Sequence, residues 1–283
     1  MRLVIQSPLI QPQHLQHITK LCGGGQFTQL SAQAYALQGN FDGDAEASAE
    51  IRAYCGAQQI DCAFVADGHT LDNFGLLVMD MDSTLIAIEC IDEIADMYGL
   101  KPEISKITAS AMRGEIEFAE SLRKRVALLA GLDESALQRV YDERLKLSPG
   151  ATELLAACKQ HGIRTLLVSG GFTFFTSRLK QVTGLDYTLA NTLEIIDGKL
   201  SGKVLGNVVD ARGKADFLIK VRDELGPRAD QTIAIGDGAN DIPMMAMAGV
   251  SIAYHAKPVV QEKATYALNY VGLDGVINLL SGG

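Results

Sequence analysis

An unbroken apolar run, Leu76-Leu77-Val78-Met79, stops at two aspartates one residue apart, Asp80 and Asp82, with Ser83 and Thr84 behind them. A short continuous apolar run reads as a strand buried on both faces, the kind found in parallel sheets. Open α/β sheets take their ligands beyond the carboxyl ends of such strands. Two carboxylates placed there suit a hard cation and an electrophile. The competing reading is a surface turn, because Asp and Ser favour turns. The rest of the chain decides between them.

The chain has 283 residues, enough for about two domains and a sizeable core. Its formal net charge is -9, so it lacks the basic footprint of a nucleic-acid binder. The five cysteines (Cys22, Cys55, Cys62, Cys90 and Cys158) form no C-x-x-C pair, which argues against a zinc site or a disulfide framework. Free thiols fit a reducing cytoplasm, the expected location. The first apolar stretch breaks at Gln6-Ser7-Pro8, too early for a signal peptide, and no run is long enough to span a membrane.

Residues 1–72 read as a small α+β unit. Strands are expected over 2–6 and 60–66, and helices over 13–21 and 44–59. One long strand or two short ones are expected within 26–38. With two strands, the order βαββαβ is that of a ferredoxin-like sandwich. His14 and His17, three apart on the first helix, read as part of a solvated face, because no third metal ligand is in view.

Residues 73–283 read as a doubly wound parallel α/β core. Four helical patterns at 91–98, 103–112, 115–129 and 134–145 interrupt it soon after the opening strand. This insertion, at about 89–147, has the position of a lid that excludes water from chemistry at the strand ends. Strand–helix alternation follows, with strands expected over 164–168, 187–194, 199–204, 232–235 and 250–253. Helices are expected over 151–161, 173–182, 214–225, 240–248, 259–263 and 275–280.

Three apolar strands thus end in polar groups: the first in Asp80, the second in Ser169 and the third in Asp237. A parallel sheet would bring Asp80, Asp82, Ser169 and Asp237 to one edge. Other sites fail on spacing. An EF-hand loop starting at Asp80 would need Gly where Leu85 stands and Glu where Ile91 stands. Gly236-x-Gly238 runs to Asp241 where a dinucleotide fingerprint needs Gly or Ala. Gly213-Lys214 is followed by Ala215 and lacks the upstream glycine of a P-loop, and no Gly-x-Ser-x-Gly elbow occurs. Phosphoryl transfer does use aspartates, a hydroxyl and a lysine together. A carboxylate is ionised at neutral pH and attacks phosphorus directly. A Mg²⁺ ion offsets repulsion among the carboxylates and the phosphate. Backbone N–H groups, a hydroxyl and a lysine hold the phosphoryl oxygens.

Asp80-Met81-Asp82-Ser83-Thr84, Ser169, Lys214 and Gly236-Asp237-Gly238-Ala239-Asn240-Asp241 resemble, in order and separation, the four motifs of the haloacid dehalogenase superfamily. The likeness covers about residues 74–283. The lid resembles that of the superfamily's phosphoserine phosphatases, through the stretch from Glu89 to Ala95 and through Met112-Arg113-Gly114, Phe118, Ser121-Leu122 and Arg125-Val126. The resemblance implies Asp80 as nucleophile and Mg²⁺ ligand, and Asp82 as acid/base with its carbonyl on the metal. It implies Asp237 as third metal ligand, oriented by Asp241. Ser169, Gly170, Lys214 and Asn240 would hold phosphate. Glu89 would pair with a substrate ammonium and Arg125 with its carboxylate, while Met112 and Phe118 would wall the pocket. Residues 1–72 look like an ACT-type regulatory domain or a dimerisation module.

The main expectation is a Mg²⁺-dependent hydrolase of O-phosphoserine, without nucleic-acid or membrane partners. A serine effector at residues 1–72 and a homodimer are left open. Three alternatives remain. One is a phosphatase or phosphotransferase for another small monoester, and another is a phospho-accepting amino-acid sensor. The third is a binding scaffold. Read without the motifs, Glu89 and Arg125 are an ordinary surface pair, Lys214 opens a helix in solvent, and Ser169 caps the helix after it.

Overall fold

The computed structural model describes residues 1–39, 41 and 45–282. Its chain divides into two compact units. The first comprises residues 1–77, 149–164 and 227–283, and the second comprises residues 78–148 and 165–226.

The first unit begins with β1 (Arg2–Gln6), α1 (Pro12–Leu21), β2 (Thr28–Ser31), β3 (Ala34–Gln38), α2 (Ala45–Ala57) and β4 (Asp61–Val65). Two short strands therefore fill the segment where one or two were expected. Asp44, the expected first residue of the second helix, lies outside the described residues. The four strands form an antiparallel sheet in the order β2-β3-β1-β4, with Leu3 opposite both Leu37 and Phe64. This is the ferredoxin-like order.

Alternation along β1 explains its position. Leu3 and Ile5 point to one face and join Ile18, Leu37, Ile51, Cys55 and Ile60 in a core cluster. Each such aliphatic side chain contributes roughly 1.5–3 kcal/mol by leaving water. Arg2 and Gln6 point to the other face, where they are also buried. That face packs on a C-terminal helix, 275–280. There the Arg2 guanidinium donates to the Leu279 carbonyl at 2.8 Å, and Gln6 Nε2 donates to the Gly275 carbonyl at 3.2 Å. A cation at a helix C-terminus also opposes the negative end of its dipole. His14 departs from the expected solvated face. It is buried, and its Nδ1 accepts from the Gln11 N–H, while His17 stays exposed and stacks on Tyr54 at 4.1 Å.

The larger sheet starts with β5 (Leu76–Met79), buried at every position. The helices α3 (Cys90–Met97), α4 (Lys101–Met112), α5 (Phe118–Ala127) and α6 (Ser135–Glu143) follow in the second unit. After α7 (Ala151–Gln160) come β6 (Arg164–Phe172), α8 (Thr173–Thr183), β7 (Tyr187–Ile196), β8 (Lys199–Leu205) and α9 (Ala211–Leu225). The chain finishes in the first unit with β9 (Thr232–Gly236), α10 (Ile242–Met245), β10 (Val250–Tyr254), α11 (Pro258–Gln261), β11 (Tyr266–Leu268) and α12 (Gly275–Leu280). Strand order runs β11-β10-β9-β5 through the first unit and β5-β6-β7-β8 through the second, β5 being divided between them after Leu77. Pairing is parallel for β9–β10, β10–β11 and β6–β7, and antiparallel for β7–β8. This is a Rossmann-type, doubly wound α/β core.

Three elements differ from expectation. β6 runs on to Phe172, with a register shift after Val168, so Ser169 lies within the strand. α9 begins at Ala211, because the Asp210 side chain caps it by accepting the Gly213 N–H at 2.8 Å. Lys214 therefore lies inside the first turn. β11 has no counterpart in the sequence reading, since three residues give too little periodicity to register.

Asp61 fastens β4 to the segment after β11. It is 4% exposed, and its two oxygens accept the N–H groups of Asn269 at 2.7 Å and Tyr270 at 2.9 Å. Burial pushes its pKa up, against the pull of these N–H groups. Asp61→Ala would orphan both donors, at about 1–3 kcal/mol each. The expected result in urea is a lower midpoint at unchanged m-value, worth about 2–4 kcal/mol. A loss within 0.5 kcal/mol (about the scatter of surface substitutions) would contradict this role.

Candidate active site

Leu76–Met79 is a strand because nothing in it is polar, and the chain must turn where polarity begins. The turn is compact. Leu85 N–H donates to the Asp80 carbonyl at 3.3 Å, and Ile86 N–H donates to the Met81 carbonyl at 3.0 Å. Ser83 takes a left-handed conformation, φ 58°. The loop holds Asp80 at 6% exposure.

Lys214 reaches this carboxylate from α9. Its Nζ lies 2.6 Å from Asp80 Oδ1, and the lysine is 1% exposed. The lysine is thus buried and paired, not solvated at a helix start. Its charge opposes the helix dipole in the first turn, so the aspartate is what offsets the cost of burying it.

Asp82 sits beside this pair. Its Oδ1 accepts the Cys90 N–H at 2.9 Å, and its Oδ2 accepts from Ser169 Oγ at 3.3 Å. Burial pushes the Asp82 pKa up, opposed by the bonds from Cys90, the Lys214 charge and the Ser169 bond. A carboxyl group so placed is suited to hold a proton and release it.

Ser169 is fully buried, and its Oγ accepts the Gly171 N–H at 2.8 Å. It does not cap α8, whose N-cap is Phe172. A Cβ at Gly171 would lie 2.6 Å from Asp82 Oδ2, so a side chain there would displace the Asp82 carboxylate. The neighbouring Gly170 carbonyl accepts from Asn191 Nδ2 at 2.8 Å, and Asn191 Oδ1 accepts the Val209 N–H at 2.8 Å. Sequence reading missed Asn191 and Cys90. An asparagine, a residue disfavoured in strands, inside a segment read as a strand was the available signal for the first. Cys90 acts through its backbone and left none.

The lid residues belong to the same unit. Glu89 precedes α3, is exposed, and accepts from Ser83 Oγ at 2.8 Å. Arg125, on α5, is half-buried, and its Nε has no hydrogen-bond partner among the described residues. Burial pushes its pKa down, while Asp92, Glu89 and Asp82 pull it up. The Phe118 ring comes to 2.8 Å from where a Cβ on Gly170 would stand. Met112, at the end of α4, is 65% exposed.

The last motif lies in the first unit. Asp237 follows β9. Asp241 is fully buried and accepts the Gly238 N–H at 3.1 Å. The two aspartates offer carboxylate oxygens within 4.8 Å of one another. Gly236 leaves room for this, since a Cβ there would lie 2.5 Å from the Asp241 Cβ. Asn240 is half-buried, with its amide oxygen against Gly238.

The residues 77–246 match the haloacid dehalogenase-like hydrolase family, and residues 3–48 match a domain of unknown function, DUF4072. A phosphoserine phosphatase from Polaromonas sp. is 52% identical over 215 residues, 74% of this chain and 91% of that one. The crystal structure of a probable phosphoserine phosphatase from Vibrio cholerae, in unliganded form, superposes with a TM-score of 0.85 at 37% identity. That match covers 99% of this chain and 86% of the other. A phospho-aspartyl intermediate analogue of phosphoserine phosphatase superposes with a TM-score of 0.68 at 40% identity, covering 72% of this chain and 97% of that one. The chain belongs to the haloacid dehalogenase-like hydrolases, among the phosphoserine phosphatases of that family.

Proposed function

We propose that this chain hydrolyses O-phospho-L-serine to L-serine and phosphate through an aspartyl-phosphate on Asp80, the last step of serine biosynthesis. The observation that carries this reading is the buried Asp80–Lys214 pair, with Asp82 and Ser169 beside it, in a chain whose relatives are phosphoserine phosphatases.

Asp80 attacks phosphorus, and the bond to the serine oxygen breaks. Asp82, whose proton is favoured by burial, gives that proton to the leaving alkoxide. It then takes a proton from the water that attacks the aspartyl-phosphate, which releases phosphate and restores Asp80. Lys214, Ser169 Oγ, the Gly170 N–H and Asn240 hold the phosphoryl oxygens during both steps. Glu89 pairs with the ammonium group of the substrate and Arg125 with its carboxylate, which a guanidinium matches bidentately. Phe118 and Met112 wall the serine moiety.

Mg²⁺ is the proposed cofactor. The residues assigned to it are Asp80, the Asp82 carbonyl and Asp237, with Asp241 orienting Asp237. This donor set is all oxygen, as a hard cation requires, and the Asp237–Asp241 pairing within 4.8 Å supports it. β9, which ends before Asp237, is the neighbour of β5 in strand order. When bound, the ion neutralises charge on the transferring phosphoryl group.

Residues 1–72 are proposed as an ACT-like regulatory or dimerisation domain, with serine as effector and a homodimer as the assembly. Their strand order supports the fold of this assignment. No helix of the described residues is long and apolar enough to cross a membrane. A cytoplasmic location is proposed on the five free cysteines.

Phosphate release from a panel of monoesters, with Mg²⁺ and with EDTA, tests the reading. Phosphoserine is expected to be the preferred substrate and EDTA to abolish turnover. Equal turnover of all the esters would overturn the substrate assignment, and turnover in EDTA would overturn the metal. In the same assay Arg125→Ala is expected to lower kcat/KM for phosphoserine by about 100-fold, near 3 kcal/mol. Phosphoethanolamine, which has no carboxylate, should lose less than about fivefold. Equal losses would remove Arg125 from the carboxylate.

A further inference from the structure

The N-terminal sheet carries a thiol pair that phosphoryl transfer does not use. Cys55 lies on α2, fully buried in the core cluster with Leu3 and Ile51, and Cys62 lies on β4 and packs against the same cluster. After α2 the chain turns through Gln59 in a left-handed conformation, with the Ile60 N–H on the Cys55 carbonyl at 2.9 Å, and returns as β4. The turn brings Cys55 of α2 and Cys62 of β4 together against the same cluster.

Cys62 also has access to solvent space. It lines a cavity of about 170 Å³ together with Arg52, Phe64, Gln261, Thr265 and Tyr266. The Arg52 guanidinium lies 4.8 Å over the Phe64 ring. The neighbouring Cys55 thiol, and then the Arg52 charge, hold the Cys62 pKa down against burial, while that of Cys55 is pushed up. The two thiols are therefore unequal. Cys62 is the more acidic thiol and opens on a cavity, whereas Cys55 is fully enclosed.

We propose that Cys62 is an oxidant-reactive site and that Cys55 resolves it to a Cys55–Cys62 disulfide, with hydrogen peroxide or another small hydroperoxide as the reagent. The Cys62 thiolate attacks one peroxide oxygen. A sulfur–oxygen bond forms, the oxygen–oxygen bond breaks, and hydroxide leaves and becomes water on protonation. Cys55 sulfur then attacks Cys62 sulfur. The sulfur–sulfur bond forms, the sulfur–oxygen bond breaks, and the departing hydroxide takes the Cys55 proton as a second water. Two thiols are oxidised, one peroxide is reduced, and a dithiol reductant reverses the change.

The test uses the full chain, reduced and then treated with stoichiometric hydrogen peroxide. Peptide mapping is expected to show a Cys55–Cys62 link that dithiothreitol removes. In the untreated protein, iodoacetamide should label Cys62 at least about tenfold faster than Cys55. In Cys55→Ala, peroxide followed by dimedone should leave the adduct on Cys62. A link from either residue to Cys22 would overturn the proposal, and so would peroxide treatment without a Cys55–Cys62 link. Equal labelling of the two thiols would overturn the assigned order of reaction. The wild-type map and labelling rates decide the matter even if Cys55→Ala does not fold.

Discussion

At the end of β5 a lysine ammonium and an aspartate carboxylate are buried against each other, 2.6 Å apart. Taking two such charges out of water costs several kcal/mol per ion, and their attraction offsets this only while both are present. Removing one partner of such a buried pair costs about 3–5 kcal/mol. The pair also links elements distant in sequence, because Asp80 follows β5 and Lys214 belongs to α9. Asp210 caps α9 one turn before the lysine and so fixes the turn from which it reaches. On the proposed reading, the same ammonium offsets the negative charge that would otherwise keep a phosphate dianion from an aspartate nucleophile.

Two aspartates two residues apart acquire different chemistry from their surroundings. Asp80 faces a cation. Asp82 accepts from the Cys90 N–H and from Ser169, in a place where burial favours its protonated form. The tight loop after β5, with Ser83 in a left-handed conformation, points the two side chains to these separate partners. Divergent environments for neighbouring carboxylates are what a nucleophile and a general acid require. Ser83 further ties the loop to the lid through Glu89, so the end of β5 and the start of α3 are joined by side chains as well as by the chain.

Legibility in the sequence followed the range of the interaction. The apolar run 76–79, its abrupt polar end, and the helix at 275–280 were readable because each is written in consecutive residues. The lid helices were readable from their periodicity, with ends displaced by at most three residues. Lys214 was not readable as a buried group. Its neighbours place it on a helix, and only the fold brings Asp80 to it. Ser169, expected at the phosphate, read as a cap only when taken without the motifs, because β6 was expected to stop at Val168, whereas a register shift carries the strand to Phe172. His14 looked solvated because its partners, the Gln11 N–H and the Tyr54 ring, are a local cap and a distant side chain that hydrophobic periodicity does not report. Cys90 supports the site through its backbone N–H, where residue type carries little information, whereas Asn191 acts through its side-chain amide on backbone groups that only the fold brings to it.

The covalent phosphoryl group proposed for Asp80 can be trapped. The enzyme would be mixed with phosphoserine and Mg²⁺, quenched in acid within a turnover, reduced with borohydride, and mapped by mass spectrometry. An aspartyl-phosphate reduces to homoserine, so homoserine is expected at position 80 and unchanged aspartate at position 82. Phosphate release with no reduced aspartate, or with the reduced residue at position 82, would contradict the assignment to Asp80.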